Sequence, residues 1–209
     1  MKKKITLIIL ILLAILIPLG VTTAIRFINY KDVKQVHYHA NVAIFINGQK
    51  FDLAQQKYME KEELCTLTTD KPKDPIGRTH MHDLIPDVVH VEDEAVLWAH
   101  YLTNIHFAVG KDYLILDDGT EYRSNDVKKV SFILNGKIVE DPSNIIIGDL
   151  DRLLINYGME SQDDLLNTRF KEVKDTAKEY DNKNDPATCS GNIEEADFWT
   201  KLKFSLIGQ

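Results

Sequence analysis

The sequence predicts an α+β protein made mainly of antiparallel β hairpins, with one packed helix, a C-terminal helical tail and an N-terminal transmembrane helix. Three observations predict it. From Ile5 to Ile25 the chain is apolar except for Thr6, Pro18, Gly20, Thr22 and Thr23, and about 20 such residues form a helix that crosses a bilayer. Asn47-Gly48, Asp118-Gly119 and Asn135-Gly136 each divide two runs of β-forming residues. Such dipeptides accept the positive φ angles of tight hairpins. After Glu94 and again after Ser161, apolar residues recur at three and four, the period of a helix with one buried face.

Lys2, Lys3 and Lys4 precede the apolar run and Arg26 is the first charge after it. The positive-inside rule therefore places the N-terminus inside and everything beyond residue 29 outside. A cleaved signal peptide opens in the same way, but the one candidate cleavage pattern, ending at Ala24, is poor, and no cysteine follows the run directly for lipid attachment. Residues 1–29 are therefore read as an anchor, 30–158 as a His-rich extracytoplasmic β-rich domain and 159–209 as a helical extension.

Val36 to Ile46 is rich in β-formers and turns at Asn47-Gly48 into Gln49 to Leu53. Gln55 to Leu67 is polar and fits neither period, and Thr68 to Gly77, with Pro72, Pro75 and Gly77, reads as a loop at the rim of a site. From Glu94 to Ala108 the residues Trp98, Tyr101, Leu102, Ile105 and Val109 predict an amphipathic helix stopped by Gly110. His100 and His106 lie off its apolar stripe. Tyr113 to Tyr122 and Val130 to Val139 are the second and third hairpins. Ile145 to Ile147 and Arg152 to Tyr157 read as a further pair of short strands. Ser161 with Asp164 resembles a capped helix start, and Leu166, Phe170, Val173 and Ala177 would share one face of a helix running to about Tyr180. Asp181 to Pro186 is a polar break. Ile193 to Ile207 is a last helical candidate with Phe198, Trp199, Leu202 and Leu206.

The charge balance excludes some partners. Of 25 basic residues three precede the anchor, which leaves 22 against 32 acidic ones, a formal charge of −10 outside. So acidic a domain is a poor nucleic-acid binder and attracts cations. Its two cysteines, Cys65 and Cys189, are far apart in sequence and in no Cys-x-x-Cys arrangement, so outside the membrane they are expected to close a structural disulfide.

The chemistry is concentrated in histidine. Five of the seven histidines fall into a pattern of alternating pairs, His37/His39, His80/His82 and His90/Glu92. Alternate residues of a strand share a face, so each pair aims two metal-ligating groups at one point. Pro86 can turn the chain between the second and third pairs, so two short antiparallel strands would unite His80, His82 and His90. Met81 would then point to the opposite face, into the core. Scattered surface histidines would have to produce three such pairs by chance.

The order His-Tyr-His-Ala (37–40), His-Met-His-Asp (80–83), His-Val-Glu (90–92), Asn-Gly (135–136) and Asp-Arg-Leu-Leu-Ile-Asn-Tyr-Gly (151–158) resembles an uncharacterised family of small membrane-anchored or exported archaeal and bacterial proteins, over roughly residues 36 to 200. The resemblance implies location and a His-rich site, not a reaction. The His-x-His patterns of cupins and metallo-β-lactamase-like hydrolases differ from these in the residues that follow, and multicopper oxidases have a pair with a central cysteine and a length that this chain lacks.

Imidazole with a carboxylate suits copper, zinc, nickel or iron(II), while calcium and magnesium want oxygen. Two functions compete. One is an anchored binding module that sequesters, senses or delivers copper or zinc, with His37, His39, His80, His82, His90 and Glu92 as ligands. The other is a metalloenzyme with three histidine ligands, an open position and Glu92 or Asp83 as general base. The crowding of imidazoles favours the first. An adhesion or assembly module with an incidental site is a third reading.

Overall fold

The computed structural model describes residues 2–30, 36–60, 75–181 and 197–207. The chain divides into two compact units, residues 35–191 and residues 1–34 with 192–209. Its α+β content, antiparallel hairpins, long apolar first helix and C-terminal helix match the class expected from sequence.

The first unit is built on a sheet of β1 (Tyr38–Ile46), β2 (Gln49–Lys50), β3 (Thr79–His80), β4 (Val88–Val91), β8 (Lys129–Leu134), β9 (Lys137–Val139) and β10 (Arg152–Gly158). Its order is β3-β4-β1-β10-β8-β9, with β2 paired to β1. A smaller antiparallel sheet holds β5 (Ala108–Gly110), β6 (Tyr113–Ile115) and β7 (Glu121–Arg123). Asn47 and Gly48, and again Asn135 and Gly136, adopt the positive φ angles expected of their turns. At the second hairpin Gly119 alone does, while the Asp118 carboxylate accepts from the Thr120 N–H at 2.8 Å.

One pairing departs from the expected antiparallel body, since β1 and β10 run parallel, with Asn41 opposite Arg152 and Ile46 opposite Tyr157. Parallel neighbours require a long crossover, and here it is everything from Asn47 to Asp151. Both strands are buried along their length, so they read as near-continuous apolar runs. Ile145 to Ile147 does not partner β10. Ile146 makes a lone bridge to Leu97, and Ile147 is buried in the core.

The helical periods overshoot their helices. α2 spans Trp98–Asn104 only, because Ala95 and His106 take left-handed backbone angles at either side. Val109, the last residue of the stripe, belongs to β5. Ser161 caps α3 (Gln162–Asn167) as expected, its hydroxyl accepting from the Asp164 N–H at 3.1 Å. The chain then continues through 3-10 turns at Arg169–Glu172 and Ala177–Glu179 rather than as one helix. Val173 and Ala177 are buried nonetheless.

Alternation along β1 assigns the two faces of the main sheet. Ala40, Val42 and Ile44, with Val89, Val91 and Met81, join the larger core under α2 and the small sheet. His39, Asn41, Ala43 and Phe45 point the other way, where Leu165 and Val173 cover Ala43 and Phe45. Asn41 fastens the segment that continues along this face. Its side-chain oxygen accepts from the N–H groups of Thr176 and Ala177, at 3.0 and 2.9 Å.

In the second unit α1 (Lys2–Ile28) is long and apolar enough to cross a membrane, with its apolar window wholly unburied, and a signal sequence has the same form. α4 (Phe198–Ile207) lies against it, with Phe27 and Phe198 ring centroids 5.5 Å apart and Tyr30 and Phe204 centroids 5.2 Å apart.

Candidate metal centre

β3, β4 and β1 are adjacent antiparallel strands, and their registers place His80 opposite His90 and His90 opposite His39. Directly opposed residues share a face and stand about 4.5–5.5 Å apart at Cβ, so three imidazoles form a row across the sheet. The sequence expectation that β3 and β4 unite the second and third pairs therefore holds, and β1 brings in the first. His37 continues the row opposite Glu92, just before β1, and His82 follows β3. Met81, between the two histidines of its pair, lies fully buried on the opposite face, where its sulfur accepts from the Tyr101 hydroxyl at 3.3 Å.

Two overlapping triads result, His37/His39/His90 and His80/His82/His90, each with one donor atom per residue and all three atoms within 4.8 Å of one another. His90 belongs to both. Two close approaches meet at one atom: His39 Nε2 and His82 Nε2 lie 3.1 and 3.3 Å from His90 Nδ1. Tyr180 packs over this point, its ring centroid 6.0 Å from that of His39 and 6.3 Å from that of His90. All but His37 of the five are buried.

Each of the four outer imidazoles meets a carboxylate. His39 Nδ1 is 2.7 Å from Asp181, His82 Nδ1 is 3.0 Å from Asp83, His37 Nε2 is 3.3 Å from Glu92 and His80 Nε2 is 3.1 Å from Glu60. The contacts of His39 and His82 are hydrogen bonds, and a carboxylate only accepts, so in these two rings the nitrogen facing it carries the proton. In His39 and His82 that leaves the Nε2 lone pair directed at His90 Nδ1. One proton on His90 Nδ1 can satisfy only one of them. A cation at the meeting point is attracted by all three nitrogens.

Burial holds the pKa of His90 far below the ordinary imidazole value, and the neighbouring His82, His39, His80 and His37 push it the same way. Neutral imidazole is the ligating form. The direction of the shift sets a pH dependence for the metal-free protein. An unfolded chain takes up a proton at His90 below about pH 6.5 that the folded chain refuses. The contribution of His90 to stability is thus complete above that pH and declines as pH falls below it. Urea midpoints of metal-free protein are expected to be level from pH 8 to 7 and to drop between pH 6 and 5.

Several residues stand where the sequence did not put them. Strand alternation would turn Asp83 away from His82, but β3 ends at His80, and with left-handed angles at Asp83 and Leu84 the carboxylate lies against its neighbour. Glu92 lies against His37. Glu60 and Asp181 carried no signal in sequence. Glu60 is seated by its N–H bond to the Met81 carbonyl, 2.7 Å, and Asp181 by the segment that Asn41 fastens. His100 and His106 lie outside the cluster, His100 accepting from the Leu97 N–H at 3.0 Å. Cys65, Cys189 and most of the loop from Thr68 to Gly77 fall outside the described residues. No family model, curated protein or solved structure matches the chain.

Proposed function

We propose that residues 35–191 bind a transition-metal ion, copper or zinc, at the meeting point of His37, His39, His80, His82 and His90, and that the chain sequesters, senses or delivers this metal from outside a membrane that it spans through residues 5–25. What carries the reading is the carboxylate on each outer imidazole. Ligating histidines characteristically donate their second ring N–H to a carboxylate or carbonyl, which fixes the tautomer and raises the basicity of the ligating nitrogen. Here His39 and His82 have such a partner and aim at His90, and His37 and His80 each have a carboxylate within 3.3 Å.

The donor set narrows the metal. Nitrogen donors disfavour calcium and magnesium, which take oxygen. Zinc closes structural sites with four ligands, whereas copper(II) tolerates a tetragonal nitrogen-rich set and heads the affinity series for divalent ions. Copper is thus the first candidate. On this reading Glu92 and Asp83 orient ligands, and neither acts as a general base on an open coordination position.

The carboxylates supply the test. Asp181→Asn, Asp83→Asn, Glu60→Gln and Glu92→Gln are each expected to weaken copper(II) or zinc affinity by about 10–100-fold. Competition against a chelator of known affinity measures it. Variants that bind as tightly as the parent would remove the carboxylate pattern as evidence for a metal.

A further inference from the structure

The second unit holds an apolar cleft of about 500 Å³ between α1 and α4. Leu16, Leu19 and Phe27 stand on its α1 side, and Phe198, Leu202 and Leu206 on its α4 side. The α4 residues recur every fourth position and form one stripe. Trp199 borders that stripe and is 71 % exposed, and Phe198, Leu206 and Ile207 are exposed as well. Contiguous apolar surface of this kind marks a binding face.

The occupant follows from what the cleft is continuous with. Leu16 and Leu19 belong to the unburied apolar surface of α1, which faces lipid if α1 spans a membrane. At about 1.5 Å per residue the 27 residues of α1 outrun a hydrocarbon core of about 30 Å. The far end of α1, opposite its lysines, therefore enters the headgroup region. α4 is attached at that end, through Phe27 to Phe198 and Tyr30 to Phe204. Tyrosine and tryptophan favour this depth because their rings are apolar with one polar edge. Lys201 and Lys203 lie off the stripe, and Lys201 Nζ sits 5.7 Å from the Tyr30 ring centroid. Long basic side chains can reach headgroups while their stems stay in apolar surroundings.

We propose that α4 is an interfacial membrane helix, lying at the headgroup–acyl boundary beside the outer end of α1, with Phe198, Trp199, Leu202 and Leu206 in lipid and acyl chains filling the cleft. The proposal rests on reading α1 as a membrane span. Helices of this kind sink their apolar face about 5–10 Å into the boundary. The metal-binding unit is then preceded and followed in sequence by a membrane contact.

The experiment uses the full chain in phosphatidylcholine liposomes, with and without lipid brominated along its acyl chains. The chain has two tryptophans, and Trp98 is fully buried, so Trp199 reports the lipid. Brominated lipid is expected to quench an emission component that Trp199→Phe removes, and aqueous iodide to leave that component untouched. In Leu202→Glu/Leu206→Glu the same component is expected to become iodide-sensitive while the Trp98 emission stays unchanged, which shows that the fold stands. Iodide quenching of Trp199 in the parent would overturn the proposal. Shielding from both quenchers would overturn it too, assigning the face to protein such as a second copy. Alkaline carbonate extraction separates the premise from the inference. A chain that stays in the bilayer with Trp199 open to iodide loses only the α4 proposal, whereas a chain that carbonate releases loses the membrane span as well.

Discussion

Replacing His90 with alanine is expected to weaken metal binding by roughly a hundredfold, because about 10–16 kcal/mol of structural-site affinity shared among five ligands comes to about 2–3 kcal/mol each. His90 stands apart from the other histidines because both triads include it, and His39 Nε2 and His82 Nε2 both close on its Nδ1. Removing it leaves neither triad complete. His37, by contrast, sits at the partly exposed edge of the row, so His37→Ala is expected to cost less. Chelator competition on both variants ranks them, with circular dichroism as the control for folding. A His90→Ala protein that binds as tightly as His37→Ala, or as the parent, would place the ion elsewhere.

Asn41→Ala is expected to damage both fold and site. Asn41 is fully buried, and its side chain accepts from two backbone N–H groups and donates to the Asp87 carbonyl at 2.8 Å. An N–H stranded in the interior costs about 1–3 kcal/mol, so losing this acceptor costs about 2–6 kcal/mol if no water replaces it. The same bonds seat the stretch that ends in Tyr180 and Asp181, one covering His90 and the other holding His39 Nδ1. Metal affinity is therefore expected to fall by about 10–100-fold, as it does when the partner of a ligating histidine is lost. Denaturant midpoints and chelator competition on one preparation check both. A variant destabilised with its affinity intact would detach the 173–181 segment from the site.

The site was legible where strand alternation governs it. His37 and His39, and likewise His80 and His82, share a face because alternate residues of extended backbone do, Met81 faces away for the same reason, and the strand registers bring both pairs to His90. Alternation failed at Asp83, where the strand had already ended and the backbone turned left-handed. Glu60 and Asp181 were invisible because their places depend on tertiary contacts, a bond to the Met81 carbonyl and a segment pinned by Asn41. The hairpins at Asn47-Gly48 and Asn135-Gly136 declared themselves through turn chemistry. The parallel pairing of β1 with β10 did not, because a crossover of that length leaves no local pattern. Helical periodicity runs past both ends of α2 and past the C-terminal end of α3, since apolar spacing says nothing about left-handed residues or 3-10 turns that stop a helix.

The proposed function requires the closure of five imidazoles around one transition-metal ion. Its most direct test is the metal stoichiometry and copper(II) spectrum of full-length protein purified in detergent without a histidine tag, loaded and then desalted. One ion per chain is expected, with a spectrum dominated by nitrogen ligands and unmoved by modest azide, because the imidazoles fill the coordination sphere. Protein that emerges from desalting without metal would contradict the claim outright. Ready azide binding to the loaded ion would contradict the closed site and turn the reading toward a metalloenzyme.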